Sequence, residues 1–270
     1  MSSAKKEANI KTFDLIMNSY FDKRTRTIRV FLPTNYDGVK RFPVLYMHDG
    51  QNLFGAENTS NNKWFVEKEM KNLEKEGLSA IIVGVDNAPT RFSELCPNIP
   101  TNPDVYSKFG LPEEFKPTGN LYAEFIVEQL KPFIDNKFRT LPDAVNTAIG
   151  GASMGGLISL YMALKYPHVF NKTMVFAPNF IICSEYELLH LLKNYDFSRL
   201  SDNRIFVFHG GLELDALNWP YVRKVVEAMQ DSGLGETSLA LVYDSRQPHF
   251  ETAWRKYFKE AFHYLFVEDE

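Results

Sequence analysis

The chain has 270 residues, 44% of them hydrophobic and 24% charged, which is typical of a globular protein with a large core. Its formal net charge of −4 and pI near 5.9 exclude the basic surface with which proteins bind nucleic acid. The first residues lack the apolar segment of a secretory signal, and no apolar stretch is long enough to span a bilayer. We therefore expect a cytoplasmic protein that does not bind membranes. The two cysteines, Cys96 and Cys183, are too few for a disulfide framework or a zinc site, and no cofactor or metal is expected.

The first forty residues predict antiparallel strands, because Thr25–Leu32 alternates polar and apolar residues and ends at Pro33. Short continuous apolar runs follow, and such runs are typical of strands buried on both faces of a parallel sheet. They are Val44–Met47, Ala80–Val85, Thr147–Ile149, Thr173–Phe176, Ile205–Phe208 and Leu239–Tyr243.

Helical patterns separate these runs, at Lys63–Glu76, Leu121–Lys137, Gly155–Tyr166, Glu185–Lys193, Tyr221–Ser232 and Thr252–Phe266. Alternation of strands and helices is the signature of stacked βαβ units with right-handed crossovers. The chain shows no internal repeat and no linker. We therefore predict one α/β domain over residues 1–270, with a mostly parallel central sheet, antiparallel N-terminal strands and helices on both faces.

Two segments interrupt the alternation, at residues 97–120 and 179–203. The first contains Pro97, Pro100, Pro103, Pro112 and Pro117. Both leave the carboxyl ends of predicted strands, the edge at which α/β sheets bind ligands. A long irregular connection is typical of a lid or binding loop, and equally of a surface excursion packed by its own aromatic residues. Both interpretations stay open.

A serine lies in the motif Gly151-Ala-Ser153-Met-Gly155, between an apolar run and a helical pattern. A strand that turns sharply into a helix exposes the serine hydroxyl and points helix N-terminal amides at it. A glycine-rich turn with an incidental serine is the alternative, because short motifs also occur by chance. The flanking strand and helix favour Ser153 as a nucleophile.

A serine nucleophile needs a base to take its proton and an acid to orient that base. Of the six histidines, His249 lies between the last predicted strand and the last helix, where α/β hydrolases supply the base. The order serine, acid, histidine places the acid after Ile205–Phe208. Glu213, on the turn leaving that strand, is the first choice; Asp215 is a rival and Asp244 a third option.

The developing oxyanion needs hydrogen-bond donors, each contributing about 3–4 kcal/mol in the transition state. The backbone N–H of Met154 follows the serine directly. The loop His48–Phe54 should supply the second donor, and the N–H of Gln51 is best placed because Gly50 allows a sharp turn. Candidate substrate-binding residues are Asn52, Phe54, Phe180 and Trp219, with Trp64 and Phe109 as further aromatic candidates, although any of these aromatic residues could equally belong to the core.

The chain resembles the putative-esterase family of α/β hydrolases, which includes enterochelin esterase-like enzymes; feruloyl esterases and mycolyltransferases look like more distant relatives. The resemblance implies the alpha/beta-hydrolase fold, Ser153 as nucleophile, His249 as base, and an oxyanion hole formed by the amides of Gln51 and Met154. The family commonly has Ser-Pro and an aromatic residue where this chain has Ala177-Pro-Asn-Phe180, so the leaving-group pocket is expected to differ. The resembling segments are Leu45–Phe54, Val83–Asn87 with Arg91 and Glu94, Tyr122–Phe138, Gly150–Leu157 and His249–Trp254.

The sequence thus predicts a serine hydrolase that cleaves a small-molecule carboxylic ester through an acyl-enzyme. One alternative is an acyltransferase, in which the segment 97–120 would exclude water from the site. Another is a non-catalytic interaction protein on the same scaffold. The identity of the ester and the oligomeric state stay open.

Overall fold

A computed structural model describes residues 9–55, 63–200 and 202–267. The fold is built on one sheet. Its strand order is β1-β2-β4-β3-β5-β6-β7-β8. β1 pairs antiparallel with β2 and β2 with β4, whereas the other neighbouring strands are parallel. The mostly parallel sheet with antiparallel N-terminal strands is therefore confirmed. The strands are β1 Asn9–Ile16, β2 Thr25–Leu32, β3 Val44–His48, β4 Ile81–Val85, β5 Thr147–Ala152, β6 Lys172–Phe176, β7 Arg204–Gly210 and β8 Leu239–Asp244.

Helices connect the parallel strands, as the alternating pattern predicts. A π-helical segment, Phe125–Leu130, joins α3 to α4, so the helix predicted at Leu121–Lys137 is continuous but not uniform. None of the helices described by the structure is long and apolar enough to cross a membrane. The helices are α1 Val66–Lys75, α2 Arg91–Glu94, α3 Gly119–Glu124, α4 Lys131–Lys137, α5 Met154–Lys165, α6 Glu185–Lys193, α7 Leu214–Asp231 and α8 Glu251–Phe266.

The core lies on both faces of the sheet. In β3, Tyr46 belongs to one buried cluster and Leu45 to the other, since successive strand residues point to opposite faces. Helix α5 contributes Ile158 to the first cluster, and α8 contributes Phe258 to the second. Helices therefore cover both faces, which explains why these strands are continuous apolar runs rather than alternating ones.

Helix α7 differs from the prediction, because it begins at Leu214 and not at Tyr221. Pro220 lies inside it. A proline has no N–H to donate to the carbonyl four residues earlier, so it usually marks a helix start. Here the helix tolerates it, and the residues between the predicted turn at Glu213 and Tyr221 form the first two turns of α7.

The segment 97–120 packs against the second excursion. The N–H of Asn102 donates to the carbonyl of Ile182 at 2.9 Å, and the N–H of Ser184 donates to that of Pro100 at 2.7 Å. Tyr106 and Phe115 pack edge to face within the segment. In the structure the segment is thus packed by its own aromatic residues and tied to residues 182–184.

Candidate active site

Ser153 lies between β5 and α5, in a backbone conformation that residues other than glycine rarely adopt (φ 59°, ψ −121°). Its N–H donates to the carbonyl of Phe176 at 2.9 Å, and its carbonyl accepts from the N–H of Asn179 at 3.1 Å. Both sides of the strained peptide are thus fixed to the end of β6. This arrangement lifts the serine above the carboxyl edge of the sheet.

The glycines around Ser153 allow close packing of three elements. A Cβ atom at Gly151 would lie 3.0 Å from Cδ2 of His48, at the end of β3. A Cβ atom at Gly156 would lie 2.9 Å from the carbonyl oxygen of Phe176, in β6. Real Cβ contacts are longer, so residues with side chains would force β3, β6 and α5 apart.

His249 is oriented by a buried carboxylate. Its Nδ1 lies 2.5 Å from Oδ1 of Asp215, whose side chain is fully buried. The second carboxylate oxygen of Asp215 accepts from the N–H of Gly210 at 3.1 Å. The ring of Trp254 meets the imidazole edge to face at 5.2 Å, which restricts its rotation. The imidazole is held from two sides.

The structure places the two main acid candidates from the sequence in different environments. Glu213, the preferred candidate, is solvent-exposed and precedes α7 with φ 54°, whereas its rival Asp215 contacts His249. The reason is the early start of α7, which places Asp215 in its first turn, facing back toward Gly210. A Cβ atom at Gly210 would overlap the Asp215 carboxylate, so glycine is required there.

Asp244, the third candidate, is engaged elsewhere. Its Oδ2 accepts from Tyr257 Oη at 2.7 Å and from Gln247 Nε2 at 2.9 Å, and its Oδ1 pairs with Arg246. These contacts brace the loop between β8 and α8 that carries His249.

Ser153 and His249 line the same cavity, which has a volume of about 310 Å³. Among the described residues, neither excursion contributes to its lining, so the expectation that they border the site is not met. The lining residues are His48, Asp49, Asn52, Trp64, Arg91, Ala152, Ser153, His249, Phe250, Glu251 and Trp254.

Over residues 19–260, the sequence matches the protein family described as "Putative esterase". The chain belongs to this family. It is therefore a carboxylic ester hydrolase, and the serine, the histidine and the carboxylate described above lie within the matched region.

Two related proteins from Bacillus subtilis (strain 168) match the sequence. Uncharacterized protein YbbA is 23% identical over 251 residues, which are 89% of this chain and 92% of YbbA. Ferri-bacillibactin esterase BesA is 29% identical over 175 residues, 61% of this chain and 57% of BesA. A solved ferulic acid esterase has the same fold, with a TM-score of 0.70 and 19% identity over 96% of this chain and 98% of its own.

The loop after β3 is fixed by an ion pair between the buried Asp49 and the partly exposed Arg91. Arg91 donates to both carboxylate oxygens of Asp49, at 2.7 and 2.8 Å. The Nδ2 of Asn87 donates to Asp49 at 2.5 Å, and the backbone N–H of Asn87 donates to Oε1 of Gln51 at 2.9 Å. Burial alone would raise the pKa of Asp49, but the charge and hydrogen bonds of Arg91 outweigh burial and hold that pKa below its usual value. The loop is thereby attached to α2 and to the end of β4.

His48 lies beneath this loop. Its Nδ1 is 2.8 Å from the hydroxyl of Tyr122, in α3. Burial lowers the pKa of His48 to about 4, so the imidazole is neutral near pH 7. His48 therefore acts as a neutral packing and hydrogen-bonding group between β3 and α3.

The candidate substrate-binding residues lie in different places. Asn52 and Trp64 line the cavity. Phe54 stacks on Phe31 in the core, and Phe180 lines a separate apolar cavity along α5. Trp219 stacks between His209 and Tyr243, at 5.6 and 4.0 Å, and Phe109 packs on Phe92.

Five further residues line the cavity but received no role from the sequence: Arg91, Ala152, Phe250, Glu251 and Trp254. Ala152 directly precedes Ser153, and the last three lie within five residues after His249, so proximity in the chain was the available signal. Arg91 was visible only as part of the family resemblance, since its contact with Asp49 joins residues far apart in the chain.

We expect Arg91→Met to lower the free energy of unfolding by about 3 kcal/mol at pH 7, because it leaves the buried Asp49 carboxylate unpaired. Without Arg91, burial raises the folded-state pKa of Asp49 above its unfolded value. The penalty should therefore grow as the pH rises from about 4 toward 7. Urea unfolding at both pH values measures it.

Arg29→Met is the matched control. Arg29 pairs in the same two-bond geometry with Asp86, at 2.7 and 2.8 Å, but its side chain is 35% exposed, compared with 23% for Arg91. We expect a loss of at most about 1 kcal/mol for this more solvated pair. Equal losses in the two variants would contradict the assignment of Asp49–Arg91 as a buried support of the loop.

Proposed function

We propose that the enzyme hydrolyses a small-molecule carboxylic ester through an acyl-enzyme formed on Ser153. The observation that carries the proposal is the 2.5 Å contact between buried Asp215 and His249, in a loop that lines the same cavity as Ser153. A buried carboxylate on one imidazole nitrogen leaves the other nitrogen to accept a proton. That is the arrangement a serine nucleophile requires.

In the proposed mechanism, Asp215 accepts a hydrogen bond from Nδ1–H of His249, and Nε2 takes the Ser153 proton as Oγ attacks the ester carbonyl. Asp215 also stabilises the imidazolium that forms. His249 then protonates the leaving alcohol. Finally it activates a water molecule that hydrolyses the acyl-enzyme and restores Ser153.

The oxyanion would be held by two backbone amides. Met154 is the first residue of α5, and the first N–H groups of a helix have no acceptor within the helix. Gln51 is the central residue of a short 3₁₀ turn, Gly50–Asn52, on the loop fixed by Arg91. A Cβ atom at Gly50 would lie 2.7 Å from the backbone carbon of Gly84, so only glycine lets this loop approach β4. Both donors are therefore preorganised.

Hydrolysis is the function supported best. The acyltransferase alternative depended on exclusion of water by the segment 97–120, which packs against residues 182–184 instead of lining the Ser153 cavity in the described structure. The interaction-protein alternative gives no reason for a strained serine beside an oriented histidine. Strain of this kind persists where the surrounding structure enforces it for function.

Covalent labelling tests the proposal. A fluorophosphonate probe should form one adduct, on Ser153, detected by peptide mass spectrometry. Labelling should be lost in Ser153→Ala and slowed by at least about 100-fold in His249→Ala, because the base contributes at least that much. Ser198→Ala, at an exposed serine, should label like the wild type. An adduct on another serine, or labelling that survives in Ser153→Ala, would overturn the proposal.

A further inference from the structure

The cavity beside Ser153 combines one carboxylate with several aromatic rings. Glu251, in the first turn of α8, lines it together with Phe250, Trp64 and Trp254. Phe250 is the most accessible of the three rings, with 47% of its surface exposed, while the two indoles are buried. Trp64 and Trp254 pack on each other with centroids 5.6 Å apart, which fixes that wall.

Glu251 is held at the cavity by a hydrogen bond to the loop after β3. Its Oε1 accepts a hydrogen bond from Nδ2 of Asn52 at 3.2 Å, across the mouth from the loop after β3. Asn52 lines the same cavity. The side chain is partly exposed, so its charge acts on whatever enters the site.

The other charges of the site are compensated. Asp49 and Arg91 form a two-bond ion pair, and Arg91 also interacts electrostatically with Glu251, so these three groups together carry one net negative charge. The neutral imidazole of His48 adds none near pH 7. Asp215 is fully buried behind His249, and its two oxygens bond His249 and the N–H of Gly210. The lining of the cavity therefore has one excess negative charge, and Glu251 is the carboxylate outside the Asp49–Arg91 pair.

A carboxylate beside aromatic faces is the chemical environment that binds ammonium groups. The face of an aromatic ring attracts a cation within about 6 Å, and quaternary ammonium ligands are recognised in this way. An anionic group would instead be repelled by Glu251. We propose that Glu251, with Phe250, forms a specificity subsite for an ammonium group, so that the enzyme prefers cationic esters over neutral and anionic ones. This inference rests on the proposed function, because it assigns the substrate class of the same site.

A purely structural role for Glu251 makes a different prediction. Acidic residues in the first turn of a helix are stabilised by the helix dipole, whether or not they bind anything. In that case Glu251→Gln would lower the melting temperature and leave substrate preference unchanged. Preference between two esters of equal shape is therefore the readout that separates the two roles.

The test compares two isosteric esters, butyrylcholine and 3,3-dimethylbutyl butyrate, which differ only in a quaternary nitrogen replaced by carbon. Hydrolysis is followed by pH-stat titration at low ionic strength. We expect wild-type kcat/KM to be about tenfold higher for the cationic ester, and Glu251→Gln to reduce that ratio to about one. Glu251→Asp keeps the charge and should retain most of the preference. In 0.5 M salt the wild-type ratio should fall, because salt screens the attraction.

Glu260→Gln is the matched control. Glu260 is exposed on the same helix, nine residues further on, and so points away from the cavity. It changes the net charge of the enzyme by the same amount and should leave the ratio at the wild-type value.

A wild-type ratio near one, or the same ratio in Glu251→Gln as in the wild type, would overturn the inference. These outcomes are distinguishable from failure of the proposed function. If Ser153→Ala hydrolyses neither ester, and the ratio of kcat/KM between the two esters is the same in Glu251→Gln as in the wild type, only the proposal of an ammonium subsite is wrong. If Ser153→Ala remains active, the proposed nucleophile is wrong.

Discussion

Asp215→Asn is expected to lower kcat by about 10⁴-fold on a small aryl ester. The substitution keeps the size and burial of the side chain, so the fold should be retained. It removes the negative charge that stabilises the imidazolium. It also allows the amide to donate to Nδ1 of His249, which holds the wrong tautomer and leaves Nε2 protonated. Steady-state kinetics, with near-ultraviolet circular dichroism as a check on folding, measures the effect.

Glu213→Gln is the control that decides between the two acids considered from the sequence. Glu213 is exposed and is the residue directly before α7, so the change should leave kcat within about twofold of the wild type. If Glu213→Gln lost activity and Asp215→Asn kept it, the contact between Asp215 and His249 would not describe the working enzyme.

The fold could be predicted because the amino-acid composition of the strands indicates how deeply they are buried. A strand such as β3 is apolar at every position since both of its faces are covered, and this pattern indicates a parallel sheet directly. The turn at Ser153 could also be predicted, because it depends on residues that are close in the chain. Glycines on both sides of the serine, between a strand and a helix, specify a sharp connection through residues adjacent in the chain.

The acid could not be fixed in the same way. Glu213 and Asp215 are two residues apart, and the choice between them depends on where α7 begins. The helical pattern in the sequence begins at Tyr221, whereas in the structure α7 begins at Leu214 and its first two turns bury Asp215 and Asn218, whose amide donates to the carbonyl of Pro178. A start seven residues earlier turns Asp215 inward and leaves Glu213 outside. Tertiary packing, and not local propensity, decided this element.

The residues that form the cavity wall could also not be predicted from the sequence. Phe54 and Phe180 have the character of ligand-binding aromatics, yet both pack in the core, because aromatic side chains serve either purpose equally well. The contacts that shape the mouth join distant residues: Asn52 to Glu251, and Asp49 to Arg91. No periodicity or motif records such pairs. They become visible only when the carboxyl ends of the strands are brought to one edge.

Ser153→Ala should have the largest effect, a fall in kcat of about 10⁶-fold, because it removes the atom that forms the acyl-enzyme. Residual hydrolysis above the rate in water should persist, since the amides of Gln51 and Met154 can still stabilise an oxyanion formed by attack of water. Comparison of single-turnover rates in the variant and in the wild type measures the loss. Activity within tenfold of the wild type would exclude Ser153 as the nucleophile.

Ser153→Gly extends this test to the strained backbone. Both variants lack the hydroxyl and should be equally inactive, but they should differ in stability. Alanine keeps the unfavourable conformational energy of a backbone at φ 59° and ψ −121°, whereas glycine adopts this conformation without a Cβ clash. We therefore expect Ser153→Gly to unfold at a higher urea concentration than Ser153→Ala, by about 1 kcal/mol in free energy, even though glycine gains more entropy on unfolding. Such a gain would show that the strained backbone at Ser153 is kept at a cost in stability, at a position where the proposed chemistry requires a side chain.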